Sequence, residues 1–233
     1  MAEEEKDKQL PSLSKDGSIH VTDEIINTVT HMVGIIFSLL GAVLLVVLSS
    51  LKGDPWKIAS FSIYGFSLIL LFTASTFHHG LNLSGRTNRL FRLFDYLAIY
   101  ILIAGSYTPI CLVLGRDAWG WSIFGVVWAI AAAGITIKSV FPSLPRWVSH
   151  TLYLSMSWVG IIFMIKLVPV FGVAGFLLLL GGGVFYTVGA AVYYFEKPNP
   201  LPGKFGFHEI WHLFVLMGAL LHYLFMYFII LPF

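Results

Sequence analysis

Seven stretches of the chain carry no Asp, Glu, Lys or Arg over lengths that suit a bilayer: 32–51, 58–85, 96–115, 118–137, 147–165, 167–195 and 210–233. As helices of about 20 residues, such runs cross roughly 30 Å of hydrocarbon. None alternates polar and apolar residues as a lipid-facing barrel strand does. The pattern predicts an all-α seven-transmembrane helix bundle, with spans at about 30–51, 58–79, 95–114, 118–138, 147–166, 172–194 and 208–231. They form one membrane domain over 21–233, behind a polar tail at 1–20. Pro169 and Gly172 break the start of the sixth run, so 167–195 predicts one tilted helix plus a loop. Gly105 and Pro109 mark a bend in span three, and Pro142 and Pro145 fill the turn after span four. Gly181, Gly182, Gly183, Gly189 and Ala190 permit close helix contact in span six. Trp56, Trp119, Trp121, Trp147, Tyr193 and Tyr194 fall near span ends, as interfacial anchors do.

Composition agrees. Of 233 residues 58% are hydrophobic and 11% charged, and mean hydropathy is +0.84. Soluble domains carry about 25% charged residues. A net charge of +2 is too small to suggest nucleic-acid binding. The single cysteine, Cys111, excludes an intramolecular disulfide and reads as a small packing residue. The polar opening, with Glu3 to Glu5, does not have the basic start and early apolar core of a signal peptide. The first span is therefore expected to direct insertion. No extramembrane domain is expected, so function lies within or beside the bundle.

Cation placement predicts sidedness. Ten Lys and Arg residues fall on one side: Lys6, Lys8, Lys15, Arg86, Arg89, Arg92, Lys138, Arg146, Lys197 and Lys204. Four fall on the other: Lys52, Lys57, Arg116 and Lys166. The expectation is a cytoplasmic N-terminus and a C-terminus outside, in the plasma membrane.

With that orientation a few polar residues share one cytoplasmic layer. Ser75 and His79 close span two, Asp95 opens span three, and His208 and His212 open span seven. Polar groups at membrane depth are costly and usually serve function. His208 and His212, four apart on a helix, project from one face as a two-His chelate requires. A zinc ion that keeps a water needs a third protein ligand, and His79 is the best-placed candidate. The plainer alternative, histidines that merely bond between helices, is the commoner one for a lone histidine. A pair at i, i+4 with a third at matching depth favours metal.

His78 points about 100° away from His79, so only one of the two should be a ligand, and geometry alone does not choose. Ser75 lies one turn before His79 and favours it if Ser75 belongs to the site; otherwise Ser75 bonds back to its own helix. Asp95 reads either as a surface partner of Arg92 or as a carboxylate that binds and deprotonates the metal's water, whose pKa zinc lowers to about 7.

His208-Glu209-Ile210-Trp211-His212 also matches the metalloprotease pattern H-E-x-x-H. The match is weak, because Glu is common in a first helical turn. Intramembrane proteases with this motif usually add an Asp-Gly aspartate on a later span, and here the single Asp-Gly is Asp16-Gly17, in the tail. His222 is roughly 21 Å along the axis from His208, which suits a packing or hydrogen-bonding role. His20 and His150 read as tail and interfacial residues. His31 sits where span one meets the membrane and could cap the site. Glu24 and Asn27 belong to a short amphipathic stretch, 21–31, that Thr22 or Asp23 could cap.

Four segments together resemble the hemolysin III family, within the progestin and adipoQ receptor family. Glu24-Ile25-Ile26-Asn27 is similar to its opening E-x-x-N, and Ser75-Thr76-Phe77-His78-His79 to its S-x-x-x-H. Phe94-Asp95-Tyr96 through Gly105-Ser106-Tyr107-Thr108-Pro109 resembles its third-span signature, and His208 to His212 its H-x-x-x-H. The resemblance covers nearly the whole chain and preserves motif order. It implies a seven-helix bundle with Zn2+ held by His79, His208 and His212, and with Ser75 and Asp95 as catalytic residues around the metal's water. The S-x-x-x-H pattern supports His79 over His78. Glu24, Asn27, His31 and Glu209 are expected to support the site, with a catalytic part for Glu209 left open.

The same resemblance implies a metal-dependent hydrolase of a ceramide-like lipid amide, the partner being a membrane lipid or acyl-chain substrate. A homo-oligomer is compatible with it. The alternative is a receptor-like or regulatory membrane protein with a structural zinc and no turnover. A pore former has little support, since no charged face lines a span, and the protease reading ranks last.

Overall fold

The computed structural model describes residues 24–201 and 204–233. The polar tail 1–20, with Glu3 to Glu5 and His20, and the capping candidates Thr22 and Asp23 lie outside the described residues. Among those described the backbone is helical, apart from turns and one isolated antiparallel bridge between Leu201 and Phe205. In chain order the helices are α1 Glu24–Leu51, α2 Pro55–Gly80, α3 Gly85–Pro109, α4 Ala118–Val140, α5 Arg146–Trp158, α6 Ile161–Phe195 and α7 Phe207–Phe225. α3 winds on as a π-helical turn over Ile110–Leu114, and α7 likewise over Met226–Ile230.

Short polar caps begin several of these helices. Asp54 accepts hydrogen bonds from the Trp56 and Lys57 amides at the start of α2, Ser84 from the Thr87 amide at α3, and Asp117 from the Trp119 and Gly120 amides at α4. Each satisfies amides that a helix start leaves without intrahelical partners.

Two expectations about the helices need correction, at the start of α3 and at Gly105. α3 starts at Gly85, well before the expected span at 95, so Arg86, Arg89 and Arg92 sit on helix rather than loop. Charge limits how far a helix enters hydrocarbon, but arginine is a good helix former. α1 runs unbroken from Glu24, so residues 24–31 of the expected amphipathic stretch form its first turns, with Asn27 and His31 buried and Ile25 and Val29 exposed. Gly105 makes no bend: it lies against α2, where a Cβ would fall 2.3 Å from Ser67 Oγ. The irregularity comes after Pro109, in the π turn, where the missing N–H loosens the helical ladder.

Among the described residues six helical stretches are long and apolar enough to cross a membrane: Glu24–Leu51, Pro55–Gly80, Gly85–Leu114, Ala118–Val140, Arg146–Phe195 and Phe207–Ile230. The fifth has 50 residues. Straight, it would measure about 75 Å. It folds back instead. Gly172 has φ 72° and ψ 173°, a region open essentially to glycine alone. On either side the chain pairs antiparallel: Arg146 with Glu196, His150 with the Tyr193 and Tyr194 rings, and Trp158 Nε1 donating to Thr187 Oγ1 at 3.1 Å. The helix passes through Pro169, so of the two expected breakers, Pro169 and Gly172, the glycine is the one that breaks it.

α6 and α7 meet closely through glycine, as expected. A Cβ on Gly182 would lie 2.3 Å from the His222 ring, and one on Gly189 2.8 Å from Trp211. The outward face of α1, with Ile36, Phe37, Leu40 and Val43, is exposed and apolar, as suits contact with lipid. The core is aromatic and aliphatic, with Phe61, Tyr64, Tyr100, Phe163 and Phe225 buried. At one end of the bundle α1, α3, α5 and α7 begin and α2, α4 and α6 finish, and the polar residues gather there. At the other end Lys52 and Lys57 donate to the Leu231 carbonyl, Lys166 pairs with Asp117, and Arg116 lies over Trp56.

Candidate metal centre

The last turn of α2 supplies His79, and the first two turns of α7 supply His208 and His212. One ring nitrogen from each lies within 4.8 Å of the others. The ring centroids are 4.9 Å apart for His79 with each of the other two, and 5.0 Å apart for His208 and His212. His79 and His212 are buried and His208 is half-buried. Spacing alone left His78 and His79 open. The trio that comes together contains His79, while His78 joins a second group with His79 and Asp95, also within 4.8 Å.

α1 holds the other side of these rings. His79 Nδ1 lies 2.6 Å from Glu24 Oε2. An Nδ1–H donated to this carboxylate leaves Nε2 of the same ring with its lone pair for a cation, the arrangement that orients ligating histidines in metal sites. His212 Nδ1 lies 3.5 Å from Thr30 Oγ1, whose own proton goes to the Ile26 and Asn27 carbonyls. His31 lies face to face with His212. His208 meets the Tyr193 ring edge-on at 5.3 Å. Neither Thr30 nor a place for Tyr193 in the site was anticipated from sequence. The i, i+3 spacing of Asn27 and Thr30 on α1 was the one local signal for Thr30.

Ser75 and Asp95 complete the layer. The Ser75 hydroxyl lies against the Asp95 carboxylate, and Asp95 in turn faces His79. Asp95 thus looks inward to the site rather than outward to the surface.

Glu209 does something else. Its Oε2 accepts the Gly206 amide at 2.7 Å and its Oε1 accepts Asn27 Nδ2 at 3.0 Å. The carboxylate is buried and closes the first turn of α7 while tying it to α1. This is how a first-turn glutamate in a capping box behaves. Both oxygens are engaged away from the histidines, which removes the geometric basis for a protease-type general base. His222 donates its Nε2–H to the Leu179 carbonyl at 3.2 Å, in keeping with the expected hydrogen-bonding role.

The three imidazoles fit a transition-metal ion. Neutral imidazole nitrogens are preferred donors for zinc and its neighbours, and three of them leave a coordination position open. The orientation of His79 by Glu24 supports the same fit. The histidines, Ser75 and Asp95 line a cavity of about 640 Å³ that extends among apolar side chains such as Ile99, Ile110, Met164, Phe176 and Leu179.

The fold and this cluster define an integral, multi-pass membrane protein with a histidine group able to hold a metal ion at one end of its helices. The chain belongs to the haemolysin-III-related family, whose model matches residues 19–223. It is 36% identical over 212 residues to Hemolysin-3 of Bacillus cereus, covering 91% of this chain and 94% of that protein. It is 36% identical over 199 residues to the Hemolysin-3 homolog of Bacillus subtilis (strain 168), covering 85% and 90%. At 29% identity over 201 residues it matches the monocyte to macrophage differentiation factor of Homo sapiens, covering 84% and 80%. These relatives place it within the progestin and adipoQ receptor family, as the motifs implied.

Proposed function

We propose that this chain is a zinc-dependent membrane hydrolase of a ceramide-like lipid amide. Its three histidines hold the metal, and its site faces the cytoplasm. The observation that carries the proposal is the convergence of His79, His208 and His212 beside Asp95 on the wall of a cavity with an apolar interior. Bound there, zinc would supply the charge that brings a water's pKa to about 7 and polarises a carbonyl. Asp95 accepts the proton of the attacking water and returns it to the nitrogen of the leaving amine. The products are then a fatty acid and an amine, with atoms and charge in balance. The Ser75 hydroxyl orients the Asp95 carboxylate, and Glu24 holds the His79 ring. The apolar part of the cavity takes the acyl chain and excludes bulk water from the amide.

The hairpin at Gly172 supports two crossings within residues 146–195, and hence seven in all. An odd number sets the termini on opposite sides. Seven cations at the site end of the described helices and loops, against four at the other end, support a cytoplasmic site and N-terminus with the C-terminus outside. In this reading 21–233 is one domain, the chain resides in the plasma membrane, its partner is lipid, and self-association is compatible.

A second reading has one specific observation behind it. Asp95 groups with His78 and His79 within 4.8 Å, so a shift of its carboxylate toward His208 and His212 would add a fourth ligand. A site closed in that way would be structural, pinning α2, α3 and α7 in a regulatory protein without turnover.

The deciding experiment measures zinc per chain in purified protein and in His212→Ala, and incubates both with a panel of acyl amides. Zinc-dependent fatty-acid release that disappears with the metal in His212→Ala is the expected result. Bound zinc with no release from any acyl amide overturns the hydrolase and favours the structural site.

A further inference from the structure

The cavity wall carries a charge pattern that a neutral lipid amide does not explain. Five cations line it, Arg86, Arg89, Arg92, Lys138 and Arg146, against the two carboxylates of Glu24 and Asp95. Both carboxylates already face the site, Glu24 at His79 and Asp95 at Ser75 and His79. Lys197 and Lys204 sit at the same end of the bundle but do not line the cavity. Sidedness requires cations on this side of the membrane; it does not require them to face one cavity.

Their order along α3 is informative. Arg86, Arg89, Arg92 and Asp95 follow at intervals of three, and all four line the cavity. At 1.5 Å per residue the arginines stand about 4.5, 9 and 13.5 Å before Asp95 along the helix axis. They therefore extend from the reacting carboxylate toward the cytoplasmic end, while the apolar lining extends the other way, past Ile99 toward Ile110. Arg146 is paired with Glu196, and Lys138 donates to the Pro142 carbonyl and lies over Tyr96. Arg86 and Arg89 are exposed and have no carboxylate partner among the described residues. Guanidinium groups so placed suit a phosphate or similar oxyanion, which they bind through charge-assisted hydrogen bonds.

We infer that the amine side of the substrate bears an anionic headgroup of the phosphate class, held at the cavity mouth by Arg86 and Arg89 while the acyl chain lies in the apolar depth. This deepens the hydrolase reading above and rests on its placement of the amide beside Asp95.

The test is a binding measurement in neutral nanodiscs, using zinc-loaded protein and a matched pair of probes, ceramide and ceramide 1-phosphate of equal chain length. The phosphorylated lipid is expected to bind about tenfold more tightly. An Arg86→Gln, Arg89→Gln double variant should lose most of that ratio with its zinc content unchanged. A Lys197→Gln, Lys204→Gln variant, with the same net charge, should keep it. Equal affinity for the two lipids overturns the inference, as does equal loss in both double variants, which would make the effect general surface charge. Inorganic phosphate is the third probe. If it displaces the phosphorylated lipid with the same affinity as that lipid, the mouth is a free-anion site and the lipid assignment is wrong. Because the readout is binding, a persistent preference without fatty-acid release would overturn the hydrolase alone.

Discussion

His31 lies flat on His212, with ring centroids 3.8 Å apart and planes 13° from parallel. The other side of the stack is closed by Phe72, edge-on to His31 at 5.1 Å. His31 is buried, and neither of its ring nitrogens has a hydrogen-bond partner among the described residues. A face-to-face position suits an imidazole that fixes its neighbour's plane better than one that shares its ligand. His31→Ala should weaken metal binding by up to about tenfold, the scale of one aromatic pair in a packed site. His31→Phe keeps the stack and should bind metal within about twofold of the parent. Competition titration with a chromophoric chelator reads both. A Phe variant as weak as the Ala variant would show that the imidazole nitrogens matter, and the stacking account would be wrong.

The Glu24 carboxylate is 2.6 Å from His79 Nδ1. Loss of such an outer partner typically costs 10–100-fold in metal affinity. Glu24→Gln should fall in that range and retain the helical circular dichroism of the parent. In a cobalt-substituted sample the visible spectrum should change, since the His79 ring is no longer held in one tautomer. Unaltered affinity and spectrum would mean that the pair is incidental.

Glu209 separates two accounts of one motif. As a general base in H-E-x-x-H it would be indispensable, and Glu209→Gln would abolish any turnover. As the closing residue of α7 it needs an acceptor toward Gly206 and Asn27, which the Gln carbonyl partly supplies. Glu209→Gln should therefore retain most activity and metal. Glu209→Ala should lower stability by about 1–3 kcal/mol, the cost of leaving buried donors without partners. Thermal unfolding in detergent and fatty-acid release, measured on both variants, discriminate between the accounts.

What could be read in advance was whatever depends on local periodicity. The hydrophobic runs, the i, i+4 pair His208 and His212, and the shared depth of His79 and Asp95 follow from helical repeat and from counting crossings. What could not be read depends on partners distant in sequence. Glu24 meets His79 across 55 positions and Asn27 meets Glu209 across 182, and no spacing rule links them. Arg86, Arg89 and Arg92 fall between the expected spans at 58–79 and 95–114, yet lie on α3, because charge marks the end of the hydrocarbon and not the end of a helix. Pro169 and Gly172 both read as breakers; the turn falls at Gly172 because the reversal needs a positive φ, which proline does not supply.

That break carries the topology. Residues 146–195 are one continuous helical stretch to length and composition, yet Arg146 and Glu196 meet at one end of the bundle and Lys166 meets Asp117 at the other. In the proposed topology, a chain that reaches the far end and returns crosses the membrane twice. With Cys111 replaced by Ala to remove the native thiol, single cysteines at Val173 and Lys204 should react with a membrane-impermeant maleimide from opposite sides. Val173→Cys should label on intact cells and Lys204→Cys only after permeabilisation. Gly172→Ala should also lower stability by about 1–3 kcal/mol, since its φ of 72° and ψ of 173° suit glycine alone. Labelling of both cysteines on intact cells would mean that the segment crosses only once, and would return the C-terminus to the side of the N-terminus.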